Sequence, residues 1–358
     1  MESNPFFGVL LIAIAGLAAA SFYVPYKRVK GWAWENYWIV GGFFSWIVAP
    51  VIFALIILPD TANVLLNAPG RALFWTFFFG VLWGVGGLTF GLAMRYLGIA
   101  LGYAVALGLC AAFGTLMPPI FSGEIVAVAT STSGQIVLFG VLVCLIGITL
   151  SGKAGVMKER ELSDAQKRET VKEFNFVKGL LVAILAGVMS AAMAYGFAAG
   201  APIAALAVEQ GAPPLWQNLP VLIVILVGGF LTNFIWCAWL ITRAKSWKQF
   251  AGSPDPASDA VGTRLPLLAN YVLCAVAGVT WYLQFFFYGM GATQMGAYAF
   301  STWTLQMASV IVCSTLWGMA LREWKGTSFA TRAWVGVGLA ILILSTVIIG
   351  YGNSLAAG

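Results

Sequence analysis

Ten apolar runs, each about as long as a membrane-spanning helix, leave this chain few folds to choose from. A hydrocarbon core about 30 Å thick takes roughly 20 apolar residues in a helix. Runs of that kind occupy 6–24, 36–58, 73–97, 99–121, 134–151, 176–199, 218–242, 267–289, 297–321 and 333–352. Pro25 stops the first, and Pro118-Pro119 ends or bends the fourth. The fold class expected is an all-α membrane protein with ten transmembrane helices. Only 9% of the residues are charged, against about 25% in soluble domains, which argues against a globular enzyme. Met1–Pro5 holds one acid and no base, so no cleavable signal pattern is read there.

Basic residues set the orientation. Of the 19 Lys and Arg, only Arg71 falls outside the odd-numbered connections. Those connections are expected in the cytoplasm, with both termini periplasmic. The net charge of +6 then reflects membrane topology, and no nucleic-acid partner is expected. The segment 152–175 mixes both signs and reads as a charged cytoplasmic connector. It divides the chain into a first five-helix repeat, 1–151, and a second, 176–358.

The halves resemble each other. Gly8, Leu10, Ala15, Gly16 and Ala20 recur 171 residues later as Gly179, Leu181, Ala186, Gly187 and Ala191. Trp83, Gly91 and Gly98 recur 198 residues later as Trp281, Gly289 and Gly296. Both offsets match helix n with helix n+5. Five is odd, so the halves insert in opposite senses, the inverted repeat of a secondary transporter with its site at the midplane.

The cargo follows from what the spans hold. No Asp, Glu, Lys or Arg lies centrally in a run. A cavity without fixed charge suits a neutral solute. The chain has no His, and its five cysteines sit inside apolar runs without metal-ligand spacing. No metal, cofactor or catalytic group is expected. The most pointed stretch is Trp281-Tyr282-Leu283-Gln284-Phe285-Phe286-Phe287-Tyr288. On a helix Trp281, Gln284, Phe285 and Tyr288 share a face. Aromatic faces beside one amide can stack on a sugar's CH groups and meet its hydroxyls. Packing against a neighbouring helix is the plainer use of the same residues. Trp303 and Gln306 repeat the pairing at i and i+3. Asn233, Asn270, Tyr103 and Tyr298 are further polar candidates inside spans. Trp32, Trp34, Tyr37 and Trp38 read as an interfacial belt.

Several stretches then become familiar: Ser21 to Lys30 with Trp32-Ala33-Trp34-Glu35, Met94-Arg95-Tyr96-Leu97-Gly98, Gly114-Thr115-Leu116-Met117, Gly140-Val141-Leu142-Val143, Lys158-Glu159-Arg160, and Trp281 to Tyr288. In this order, across nearly the whole chain, they resemble the L-rhamnose–proton symporters, a branch of the drug/metabolite transporter superfamily. The resemblance implies a five-plus-five inverted repeat in the bacterial inner membrane, surrounded by lipid. It also implies uptake of L-rhamnose or a related 6-deoxyhexose, driven by protons. It adds Tyr23 to the substrate-binding candidates. In coupling, it points to Glu35 of Trp-x-Trp-Glu and to Glu323. The first sits at a helix N-terminus, where the dipole favours a carboxylate for structural reasons alone. One departure stands out. The family carries a His about where Gln306 stands and an acid nearby, and Ala297 to Gln306 has neither. An uncoupled facilitator, or an exporter of another neutral metabolite with the same fold, is therefore the alternative.

Overall fold

The computed structural model describes residues 3–97, 99–161, 176–253, 266–320 and 324–357, apart from the side chains of 94, 95, 99–101, 103, 104, 176 and 357. No strand occurs among the described residues. Ten long helices follow one another among the described residues: α1 Pro5–Tyr26, α2 Trp34–Ile57, α3 Gly70–Leu97, α4 Ile99–Phe121, α5 Thr132–Glu161, α6 Val177–Glu209, α7 Pro214–Ala244, α8 Leu267–Thr293, α9 Gly296–Ala320 and α10 Phe329–Ala357. Among the described residues nine of them are long and apolar enough to cross a membrane, and α4 contributes the shorter apolar stretch Val105–Phe121.

Local chemistry explains the breaks. Asn4 caps α1 by accepting from Phe7 N at 3.1 Å, and Pro5 takes a position whose N–H would have no helical partner. The regular part of α1 ends at Ser21, with a last turn at Tyr23–Tyr26 containing Pro25. α6 is interrupted at Ala191 and again at Gly200, ahead of Pro202. α2 carries a π-helical turn at Phe44–Val48. Such turns insert one residue into the ladder and are frequent at functional sites.

α5 continues past its apolar run to Glu161, into the segment read as connector. The rest of that segment, 162–175, lies outside the described residues, as does the candidate Glu323. Glu161 accepts from Ser328 N at 2.8 Å, Ser328 Oγ at 2.6 Å and Thr331 Oγ1 at 2.6 Å. It thereby satisfies free donors at the start of α10. These hydrogen bonds hold its carboxyl below the usual range. Lys153 lies 3.5 Å over the Trp334 ring in the same α5–α10 seam.

The helices pair in a regular way. α5 lies along α10; α1 packs on α8 and α9; α6 packs on α3 and α4; α2 meets α8, and α7 meets α3. Glycines set the closest approaches. A Cβ on Gly16 would collide with Ser309 of α9, and one on Gly187 would come within 2.7 Å of Ala106 O on α4. A Cβ on Gly278 would strike Gly41 O of α2, and one on Gly80 would strike Ile225 O of α7. In these seams backbone lies on backbone, as small residues permit in lipid.

Candidate functional site

At mid-length α8 crosses α2 at Gly278 and Gly41, and a pocket lies at that crossing. It is lined by Phe22 and Tyr26 of α1, Trp38, Gly41, Gly42, Ser45 and Trp46 of α2, and Gly278 and Trp281 of α8. None of these side chains is charged. The Trp281 ring lies 4.2 Å from Phe22, centroid to centroid, and meets Phe285 edge-on at 6.0 Å. Trp46 reaches across to Trp83 of α3 at 6.2 Å, and Trp83 meets Phe285 at 5.3 Å. The walls are therefore aromatic rings from α1, α2 and α8, with Trp83 of α3 packed behind Trp46. The free volume is about 10 Å³, room for roughly one water.

The polar groups around this pocket decide what it can do. Ser45 Oγ, Trp46 Nε1, Trp281 Nε1 and Gln284 Nε2 are buried and have no protein partner. Burying a donor unpaired costs about 1–3 kcal/mol, so four orphans along one seam need a reason. Ser45 and Trp46 belong to the π-helical turn. That turn departs from the regular i→i−4 ladder. Three of the four orphans belong to pocket-lining residues. Hydrogen-bonding tips between ring faces suit a neutral molecule that is hydroxylated on its edges and apolar on its faces.

The structure distributes the sequence candidates over several places. Trp281 lines the pocket, and Gln284 stands one turn further along α8. Tyr288 is two turns beyond Trp281 and meets Trp303 edge-on at 5.5 Å. Trp303 lies across Gly114 of α4 and donates to Cys110 O at 3.1 Å, so its indole N–H is already satisfied. Gln306 is buried, and neither its amide nitrogen nor its oxygen has a partner. Asn233 of α7 accepts from Trp38 Nε1 at 3.1 Å, fixing one wall of the pocket. Tyr23 is partly exposed and pairs with the Tyr37 hydroxyl at 3.3 Å. Asn270 closes a two-way bond with the Lys30 backbone, at 3.2 and 2.8 Å. The Tyr298 hydroxyl lies between Ser131 and Ser133, at 2.9 and 2.8 Å. Glu35 sits in the first turn of α2 and accepts from Ser246 Oγ at 2.9 Å. The side chain of Tyr103 falls outside the described residues.

Sequence reading passed over Ser45 and Trp46. One signal was available: Gly41-Gly42 four residues ahead of a lone Ser-Trp pair, inside an otherwise apolar run. Two of the tryptophans read as an interfacial belt are turned inward. Trp38 lines the pocket, and Trp32 is buried with its N–H bonded to Gln249 O at 3.0 Å. Their neighbours in the folded chain, α7 and the segment after it, supply the acceptors that lipid headgroups would otherwise offer.

Comparison with known proteins adds an independent line. A family profile described as L-rhamnose-proton symport protein (RhaT) matches residues 1–355. The L-rhamnose-proton symporter of Cronobacter sakazakii is 35% identical over 346 residues, covering 96% of this chain and 97% of its own length. The symporters of Klebsiella pneumoniae subsp. pneumoniae and Citrobacter koseri are each 34% identical, with the same coverage.

Proposed function

The chain belongs to the L-rhamnose-proton symport protein family, and on that premise we propose that it imports L-rhamnose, or a related 6-deoxyhexose, through the pocket between α2 and α8. It is a multi-pass membrane transporter and not an enzyme. The observation that carries the site is the set of orphaned tips, Ser45 Oγ, Trp46 Nε1 and Trp281 Nε1, on an uncharged aromatic pocket. A 6-deoxyhexose carries a methyl and CH faces for the rings and hydroxyls for the tips. A pocket with room for about one water must open to admit it, so α2 and α8 part and close again in each cycle.

Alternating access is read here from two inverted halves, 1–151 and 176–358, joined by 152–175, as in the drug/metabolite transporter fold. Three facts support this. The packing of α1 on α8 and α9 matches that of α6 on α3 and α4. Gly16 and Gly187, 171 residues apart, make equivalent close approaches. So do Gly80 and Gly278, which share the 198-residue offset of Trp83 and Trp281. The inner membrane location, the periplasmic termini and the contributions of Gln306, Tyr288, Trp303 and the remaining candidates belong to the same reading.

Glu35 is the proposed coupling group. It is a carboxylate at the entry of α2, touching Ser246 from the other half. In proteoliposomes, an inward proton gradient should drive L-rhamnose above its external concentration. Glu35→Gln should lose that accumulation and keep sugar exchange. Transport that only equilibrates in the unaltered protein would overturn symport. It would favour the uncoupled facilitator, a reading that draws on the uncharged, unpartnered Gln306 amide.

A further inference from the structure

A second cluster of buried polar groups lies below the pocket, at the end of the helices that carries Lys27, Arg28, Lys30, Arg243, Lys245 and Lys248. It joins the entry of α2 to the segment Ser246–Ala251, a 3₁₀ helix that follows α7. Gln249 is its hub. Its side-chain oxygen accepts from Ala33 N at 2.6 Å and from Asn36 Nδ2 at 3.0 Å, while its backbone oxygen accepts from Trp32 Nε1. Asn36 Nδ2 also donates to Ser246 O at 2.7 Å. Ser246 Oγ lies 2.9 Å from Glu35 Oε1 and 3.0 Å from Asn36 Oδ1, with one proton to give. Asn36, Ser246 and Gln249 are all buried.

The segment that presents Gln249 is itself held in an unusual shape. Lys245, at φ 54°, is the only non-glycine residue with positive φ among the described residues, and Gly252 ends the turn at φ 105°. A side chain in that region is uncommon and persists where its surroundings demand it. Rings then separate this cluster from the pocket. Tyr26 lies 5.1 Å from Tyr37 and 6.3 Å from Trp38, and both Tyr26 and Trp38 line the pocket.

We propose that the Asn36–Ser246–Gln249 cluster is the gate that closes the pocket toward the basic end of the helices, with Gln249 as its positioning residue. The inference rests on the transport reading above: a sugar entering from one end leaves by the other only when this contact between the halves comes apart. Polar contacts suit a gate that must open as well as close, because water can replace each bond when the halves separate.

The test needs no sugar, so an error in the choice of substrate leaves it intact. Ser45→Cys places a thiol in the pocket. A membrane-impermeant maleimide is applied from the basic side of oriented vesicles, and labelling of residue 45 is followed by mass spectrometry, apart from the native cysteines. Adding Gln249→Ala should speed that labelling about tenfold or more, the mark of a shifted population. Ser246→Ala, a milder change, should raise it less and in the same direction. Asn63→Ala, at the opposite end, should leave it unchanged. Equal rates in Ser45→Cys, with and without Gln249→Ala or Ser246→Ala, would overturn the proposal. If Gln249→Ala fails to fold, Ser246→Ala decides alone.

Discussion

The two ends of the α2–α7 pair are closed in different ways. Where α2 begins and α7 ends, buried amides, a hydroxyl and an indole bond the start of α2 to the segment after α7. Where α2 ends and α7 begins, an exposed pair, Asn63 Nδ2 to Gln210 Oε1 at 3.1 Å, is joined by apolar contacts such as Phe53 of α2 on Phe286 of α8 at 5.3 Å. Exposed bonds exchange readily with water, whereas breaking one partner of a buried set orphans the rest. The difference teaches that the basic end is closed by a buried polar set and the other end by apolar packing with an exposed polar pair.

The largest effect is expected between the two ends. Gly278→Val pushes a branched side chain into Gly41 O, which should cost about 1–3 kcal/mol or more and abolish uptake. Thermal unfolding of the purified protein and vesicle uptake check both parts. Next comes the pocket itself. Trp281→Ala should raise the apparent KM for L-rhamnose about tenfold, roughly 1.4 kcal/mol of lost binding, in an initial-rate series. An unchanged KM would move the sugar away from α8. The ends themselves come third. Gln249→Ala leaves buried donors unpaired and should lower stability by about 1–3 kcal/mol. Asn63→Ala, at the exposed end, should stay within about 0.5 kcal/mol. Equal losses would erase the distinction between the buried and the exposed polar contacts.

The smallest effect lies outside the α2–α7 pair, where Glu161 clasps α10. Its pKa is lowered by bonds from Ser328 and Thr331. A depressed carboxylate contributes stability above its unfolded pKa and loses it as pH falls through the folded value. The clasp should therefore hold at neutral pH and weaken only below about 4.5, the ordinary value. Glu161→Gln should flatten that acid limb of the thermal-stability profile.

Much of the fold was legible because lipid forces regular helices on long apolar runs. The run at 36–58 became Trp34–Ile57, and that at 267–289 became Leu267–Thr293. Trp281 was legible as a candidate because six aromatic residues around a single amide are unusual in any span. Ser45 was not, because one hydroxyl in an apolar helix commonly bonds its own backbone, and a π turn has no sequence period. Gln249 and Asn36 were invisible for another reason. Their meaning lies in a contact between residues more than 200 positions apart, and each alone looks like an ordinary interfacial polar residue.

A sugar site between α2 and α8 is decided by equilibrium binding of radiolabelled L-rhamnose to the purified protein, compared among the unaltered chain, Trp281→Ala and Trp236→Ala. Trp236 is partly exposed on α7 and is not among the residues lining the pocket. Saturable binding is expected that Trp281→Ala weakens about tenfold, roughly 1.4 kcal/mol, and that Trp236→Ala leaves unchanged. Binding that survives Trp281→Ala at full affinity would contradict a sugar site between α2 and α8.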